Sequence, residues 1–175
     1  MKKILALVTL ICMVLVSTTA MAASVYSKKS SDLMSVENLE IAAETEQIAA
    51  ELAAMAQYAA GNASFTGYFA EDVQQEIAKN IKSETVVAYE ATPVAAKNYT
   101  EADGEVEADF QFATQYADDA DVVVVVGFEG EGGITWTAKK ATVVGGVVRV
   151  LFTAEEMVRM NAQQALVVVL SAPIV

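Results

Sequence analysis

Five consecutive valines, Val122 to Val126, stand between Asp121 and Gly127. The run is too short for a helix, and its β-branched side chains suit a pleated surface, so it predicts a strand buried on both faces. Downstream, Val143-Val144-Gly145-Gly146-Val147-Val148 sets two glycines between β-branched pairs. A primed two-residue turn needs positive φ, which glycine reaches without steric cost, so this segment predicts a hairpin. Glu105 to Ala113 alternates: Val106, Ala108, Phe110 and Phe112 face one way, Glu105, Glu107, Asp109 and Gln111 the other. Further strands are predicted at Thr85 to Ala91 (closed by Thr92-Pro93), Ile134 to Thr137, Ala141 to Val144, Val147 to Phe152 and Ala165 to Leu170. Gly130 to Gly133 reads as a loose hairpin loop, and Lys139-Lys140 as a bulge or a charged edge. Thr153 with Glu156 is a capping box for a short helix through Met160.

Ahead of the strands the period is helical. From Ser35 to Ala60, Ile41, Ile48 and Met55 recur every seven residues, with Thr45, Leu52 and Ala59 between them. An oligomerising coiled coil is the competing reading of this stripe, but few basic residues stand ready to pair with its glutamates. Phe69, Val73, Ile77 and Ile81 mark a second amphipathic helix across Ala70 to Lys82, acidic in its first turn and basic in its last, as the helix dipole prefers. The expected fold is therefore α+β: an N-terminal helical hairpin followed by an antiparallel β-sandwich. In strand spacing the second part resembles an immunoglobulin-like domain in outline, with no Cys…Trp…Cys framework. A single mixed sheet covered by the two helices is the alternative.

The first residues change the picture. Met1-Lys2-Lys3 is a positive start, Ile4 to Val16 an apolar stretch, and Ala20-Met21-Ala22 a small-x-small cleavage site. This is a leader of bacterial style, with the mature chain expected to begin near Ala23. The expected organisation is a cleaved leader over 1–22, a flexible Ser/Lys-rich lead-in over 23–34, the helical hairpin over 35–83 and the sandwich over 84–175. Cleavage would remove the only cysteine, Cys12, together with Lys2 and Lys3, leaving nine basic against 23 acidic residues and a net charge of −14. Such a charge disfavours nucleic acid and anionic membrane surfaces.

The side-chain inventory argues against most catalysis. The chain has no histidine, and no cysteine once cleaved, so there is no imidazole base, thiol nucleophile or zinc set of the usual kind. Gly127 to Gly133 is glycine-rich but carries Glu129 and Glu131 and no lysine, the wrong charge for a phosphate cradle. The alternating acids Glu101, Asp103, Glu105, Glu107 and Asp109, with Asp118, Asp119 and Asp121, read as a solvated strand face and its neighbouring turn; weak calcium binding is the alternative. Trp136 is expected in the core beside Ile134, and Tyr58, Phe65, Tyr68 and Phe69 as the plug between helices and sheet or as an exposed contact patch. No catalytic, cofactor or metal residues are assigned. The sequence is read as an exported, non-catalytic extracellular or envelope module acting through contact with a protein partner. The alternative is a secreted ligand- or calcium-binding protein using its acidic strand.

Overall fold

In the computed structural model, which describes residues 24–29 and 38–174, the chain is α+β with two antiparallel sheets. Strands β1 (Ser24–Lys29), β4 (Val106–Gln111), β8 (Val147–Phe152) and β7 (Thr142–Val144) form a four-stranded sheet in that spatial order. Strands β2 (Leu39–Ile41), β3 (Val87–Ala96), β9 (Ala165–Ser171), β5 (Val122–Phe128) and β6 (Thr135–Lys140) form a five-stranded one, again in that order. Three helices, α1 (Glu46–Gly61), α2 (Glu71–Asn80) and α3 (Ala154–Ala162), complete the described elements together with 3-10 turns at Thr66–Tyr68 and Glu101–Asp103. The expected leader and its cleavage site lie outside the described residues.

The valine strand β5 and the last strand β9 lie side by side, and every residue of both is buried. Alternation divides their side chains between two cores. Val122, Val124, Val126, Phe128, Val167 and Val169 pack with Val106, Ala108, Phe110, Val148, Val150 and Phe152 of the four-stranded sheet. Val123, Val125, Leu166, Val168 and Leu170 pack with Ile48, Met55, Val73 and Ile77 of α1 and α2. Each such side chain contributes on the order of 1.5–3 kcal/mol relative to exposure, and these two layers account for the double burial that the valine run predicts.

Several expectations are corrected. Helix α1 begins eleven residues later than Ser35, because Thr45 is its N-cap: the Ile48 amide donates to the Thr45 hydroxyl at 3.1 Å. Ile41, counted in the helical stripe, instead ends β2, which pairs with β3 through Leu39↔Ala96 and Ile41↔Val94; Ile41 is exposed while Ile48 is fully buried. The expected flexible lead-in contains β1, paired with β4 from Ser24↔Gln111 to Lys29↔Val106. Strand β3 does not stop at Thr92-Pro93 but runs through to Ala96. The Pro93 carbonyl accepts from the Ala42 amide at 3.0 Å, on the β2 side. A residue's N–H and C=O point to the same side of a strand, so the missing proline N–H falls where β2 has run out and costs the β3–β9 ladder nothing.

Gly127 likewise does not end β5. It sits directly opposite Trp136, and a Cβ there would lie 2.5 Å from the indole ring and from Ile134 Cγ2. The ring lies over the glycine, so close approach fixes this residue. The Gly145-Gly146 turn is as predicted: Val144 pairs with Val147, and the two glycines have φ of +61° and +77°. Of the two readings of Lys139-Lys140, the charged edge is the one observed, since β6 is an outer strand. Lys139 turns inward to pair with Glu156, with its ammonium 5.3 Å from the centre of the Phe152 ring. An inward charge on an edge strand opposes pairing with another chain. Glu156 also closes the predicted capping box by accepting from the Thr153 amide at 2.8 Å.

Candidate functional site

The five-stranded sheet is covered on both faces, by α1 and α2 on one side and by the second sheet with Met157 and Met160 of α3 on the other. Among the described residues the four-stranded sheet buries one face, that of Val106, Ala108, Phe110, Val148, Val150 and Phe152. Among the described residues no helix packs on its outer face, and this face gathers the side chains that alternation turns away from the core. They are Glu107, Asp109 and Gln111 on β4, Val147, Arg149 and Leu151 on β8, and Thr142 and Val144 on β7.

Register sets their neighbours. Asp109 stands opposite Arg149, which in turn stands opposite Thr142; Glu107 is opposite Leu151, and Val147 opposite Val144. Arg149 makes a two-pronged contact with Asp109, Nε donating to Oδ1 at 2.6 Å and Nη2 to Oδ2 at 2.7 Å, with Glu107 Oε1 3.4 Å from Nε. These partners hold the guanidinium above its ordinary range, the Asp109 hydrogen bonds first and the charges of Asp109 and Glu107 after them, against the opposing effect of burial. Around this fixed centre lie Val144, 58% exposed, and Leu151, 41% exposed. The arrangement is a rigid patch in which apolar side chains surround an arginine already pinned in place, so binding would not have to order it.

Several of the acids singled out in the sequence find partners within the fold. Glu107 and Asp109 share a face as the alternation requires, and both lie against the Arg149 guanidinium. Asp103 closes a capping box with Thr100, and Asp118 Oδ1 accepts from the Gly145 amide at 2.7 Å, bracing the hairpin. Asp119 has a φ of +64°, a conformation that aspartate tolerates in a turn. Among the described residues no group of three or more acids is arranged to hold a metal ion. The glycine-rich loop is tied at its start to α1, Glu129 to the Thr45 hydroxyl and the Gly130 carbonyl to Gln47 Nε2 at 3.1 Å.

Trp136 is on the helix side, half-buried, with its ring edge-to-face to Phe69 at 5.4 Å. Phe65 and Phe69 are buried in the same cluster, so the aromatic group fills the junction of helices and sheet. Tyr68 donates to Glu51 at 2.7 Å; burial first, then that hydrogen bond and charge, push its phenol upward. Arg149 is the residue that sequence reasoning passed over. The available signal was the alternation of Val147, Arg149 and Leu151 after the glycine turn, which places all three on one face.

A second polar group lies where β3 slips register between Ala88 and Glu90. Glu90 Oε1 accepts from the Thr114 amide at 3.2 Å and hydroxyl at 2.7 Å. The ring of Tyr116 packs edge-to-face on Tyr89 at 6.2 Å. The Tyr116 hydroxyl is buried and makes no hydrogen bond of good geometry among the described residues. Burial, then the charge of Glu90, raises its pKa, and Thr114 partly opposes this. Removing an unsatisfied hydroxyl costs no hydrogen bond, so Tyr116→Phe is expected to leave the melting temperature unchanged or raised. A loss above about 1 kcal/mol by denaturant titration would show that the hydroxyl holds an ordered water.

In the comparisons with known proteins, no family model, curated protein or solved structure matches the chain.

Proposed function

We propose that the chain is an exported, non-catalytic module of the extracellular space or cell envelope, built as an N-terminal helical hairpin and an immunoglobulin-like antiparallel sandwich, which works by contact with a protein partner. The observation that carries this reading is the outer face of the four-stranded sheet, which no described helix covers and where Val144 and Leu151 are exposed beside an arginine held by Asp109. Arginine and apolar side chains are the residues that anchor interfaces, and a pinned side chain loses little entropy on binding. The leader-like first 22 residues support export.

The test is capture from the envelope fraction of the source organism with the mature chain as bait. The double variant Val144→Ser, Leu151→Ser is expected to keep its melting temperature within a few degrees, since both side chains are exposed, and to lose capture of any partner by at least about tenfold, or 1.4 kcal/mol. Undiminished capture would move the interface elsewhere.

A calcium titration tests the acidic strand directly. Neutralising Glu105, Glu107 and Asp109 to the corresponding amides is expected to cost about 1–3 kcal/mol, because it weakens the two-pronged contact between Asp109 and Arg149, with no calcium dependence in either protein. If wild type alone gained stability as the logarithm of calcium concentration, these acids would be a cation site.

A further inference from the structure

We propose that the bulge in β3 builds a second site, in which Tyr89, Glu90 and Tyr116 form a corner that takes a primary ammonium group. In an unbroken strand, neighbouring side chains turn to opposite faces. The ladder to β9 runs through Ala88↔Leu170 and then Glu90↔Val169, which leaves Tyr89 as an extra residue. Its effect is visible in the packing. Ala88 and Ala91 both lie against the helix-side core, although they are not an even number of residues apart, and Tyr89 lies against the core between the sheets. Glu90 goes with Tyr89. The two adjacent residues reach one stretch of chain, Tyr89 by its ring against Tyr116 and Glu90 by its carboxylate to the Thr114 amide and hydroxyl.

The corner joins aromatic walls to a negative charge. The rings of Tyr89 and Tyr116 stand at 88° with centres 6.2 Å apart, and the Ile174 amide donates to the Tyr89 hydroxyl at 2.8 Å, which fixes that ring. Tyr116 is 5% exposed, and its hydroxyl has no hydrogen-bond partner of good geometry among the described residues. Burial first, and then the nearby charge of Glu90, raise the Tyr116 phenol, so it stays neutral beside the carboxylate. Tyr89 and Glu90 are half-buried and form the entrance, while Tyr116 forms the floor. These features select the ligand. Glu90 repels an anion. A primary ammonium brings positive charge, several N–H donors and attraction to the faces of tyrosine rings. One N–H serves the Glu90 carboxylate and another the Tyr116 oxygen. A quaternary ammonium has no N–H to offer that oxygen. Calcium wants about six to eight oxygens, more than these side chains bring.

The experiment follows the melting temperature of the full chain in ethylammonium chloride, against sodium chloride and tetramethylammonium chloride at equal ionic strength. The wild type is expected to rise by about 3 °C over about a hundredfold increase in ethylammonium, as the logarithm of concentration above the dissociation constant, and by less in either control salt. The Thr114 and Tyr116 amide resonances should move over the same range. Tyr116→Phe keeps the aromatic wall but removes the acceptor, and is expected to bind about tenfold more weakly. Glu90→Gln keeps an oxygen for Thr114 but removes the charge, and is expected to show no response. The Val144→Ser, Leu151→Ser chain should respond as wild type does, so this site and the partner surface stand or fall separately. Nα-acetyl-lysine methylamide in place of ethylammonium distinguishes the sources of the ligand. Tighter binding assigns the site to a lysine of a peptide and weaker binding to a small free amine, and both support it. An equal shift in tetramethylammonium would reduce the effect to screening of an acidic chain and overturn the proposal. So would responses of Tyr116→Phe and Glu90→Gln equal to wild type, or no response to any amine, which would leave the hydroxyl to water alone.

Discussion

Valine at both Gly145 and Gly146 is expected to lower stability by about 2–6 kcal/mol, because each position is held at positive φ and a β-branched residue there costs about 1–3 kcal/mol. For a chain of this size the melting temperature should fall on the order of 10 °C. The cause is conformational rather than steric. A Cβ at Gly145 would meet nothing within 4 Å, and one at Gly146 only Gln115 Oε1 at 3.6 Å. Asparagine, which accepts the left-handed region, separates the two explanations: Gly145→Asn should recover most of the loss that Gly145→Val causes. Equal melting of the double valine variant and wild type would mean that the turn reforms with ordinary φ, and the β7–β8 register would then be in doubt.

Phe110→Ala should cost about 3–5 kcal/mol, the range for an aromatic side chain removed from a close-packed interior. Phe110 is fully buried between the sheets, its ring parallel to Phe112 at 5.6 Å and edge-on to Phe152 at 6.4 Å. Denaturant titration would read this as a lower midpoint at unchanged slope. The internal control is Leu151→Ala, on the outer face of the neighbouring strand, which should stay within about 0.5 kcal/mol. If the two variants lost comparable stability, the two faces of the sheet would not differ in burial as described.

The contrast between those positions shows how far the sequence could be read. Alternation at Val106 to Phe112 and the unbroken run at Val122 to Val126 state which side chains are buried, and on how many faces, since one face of a sheet gives period two and two faces give none. Capping and turn chemistry were legible for the same local reason, as Thr153 with Glu156 and Gly145 with Gly146 make their contacts with near neighbours. What failed depended on distant strands. Ile41 has the spacing of a helical stripe, and only pairing with Val94, far along the chain, makes it part of a strand. Pro93 looks like a strand end until the short reach of β2 is known. Alternation puts Arg149 on the outer face, but its partner Asp109 lies on another strand, 40 residues away, and that pairing was not legible.

The two outermost strands in sequence are held unequally, and this gives the fold a mechanical polarity. Strand β1 is an edge strand bonded along one side to β4, whereas β9 lies between β3 and β5 and is bonded along both. Tension applied through the two ends therefore loads one hydrogen-bonded ladder at the first strand and two at the last. The first strand yields at the lower force, while the two-sided clamp keeps the five-stranded sheet closed. A load transmitted along the chain would thus draw out the first strand before it strains the two-sided clamp around the last.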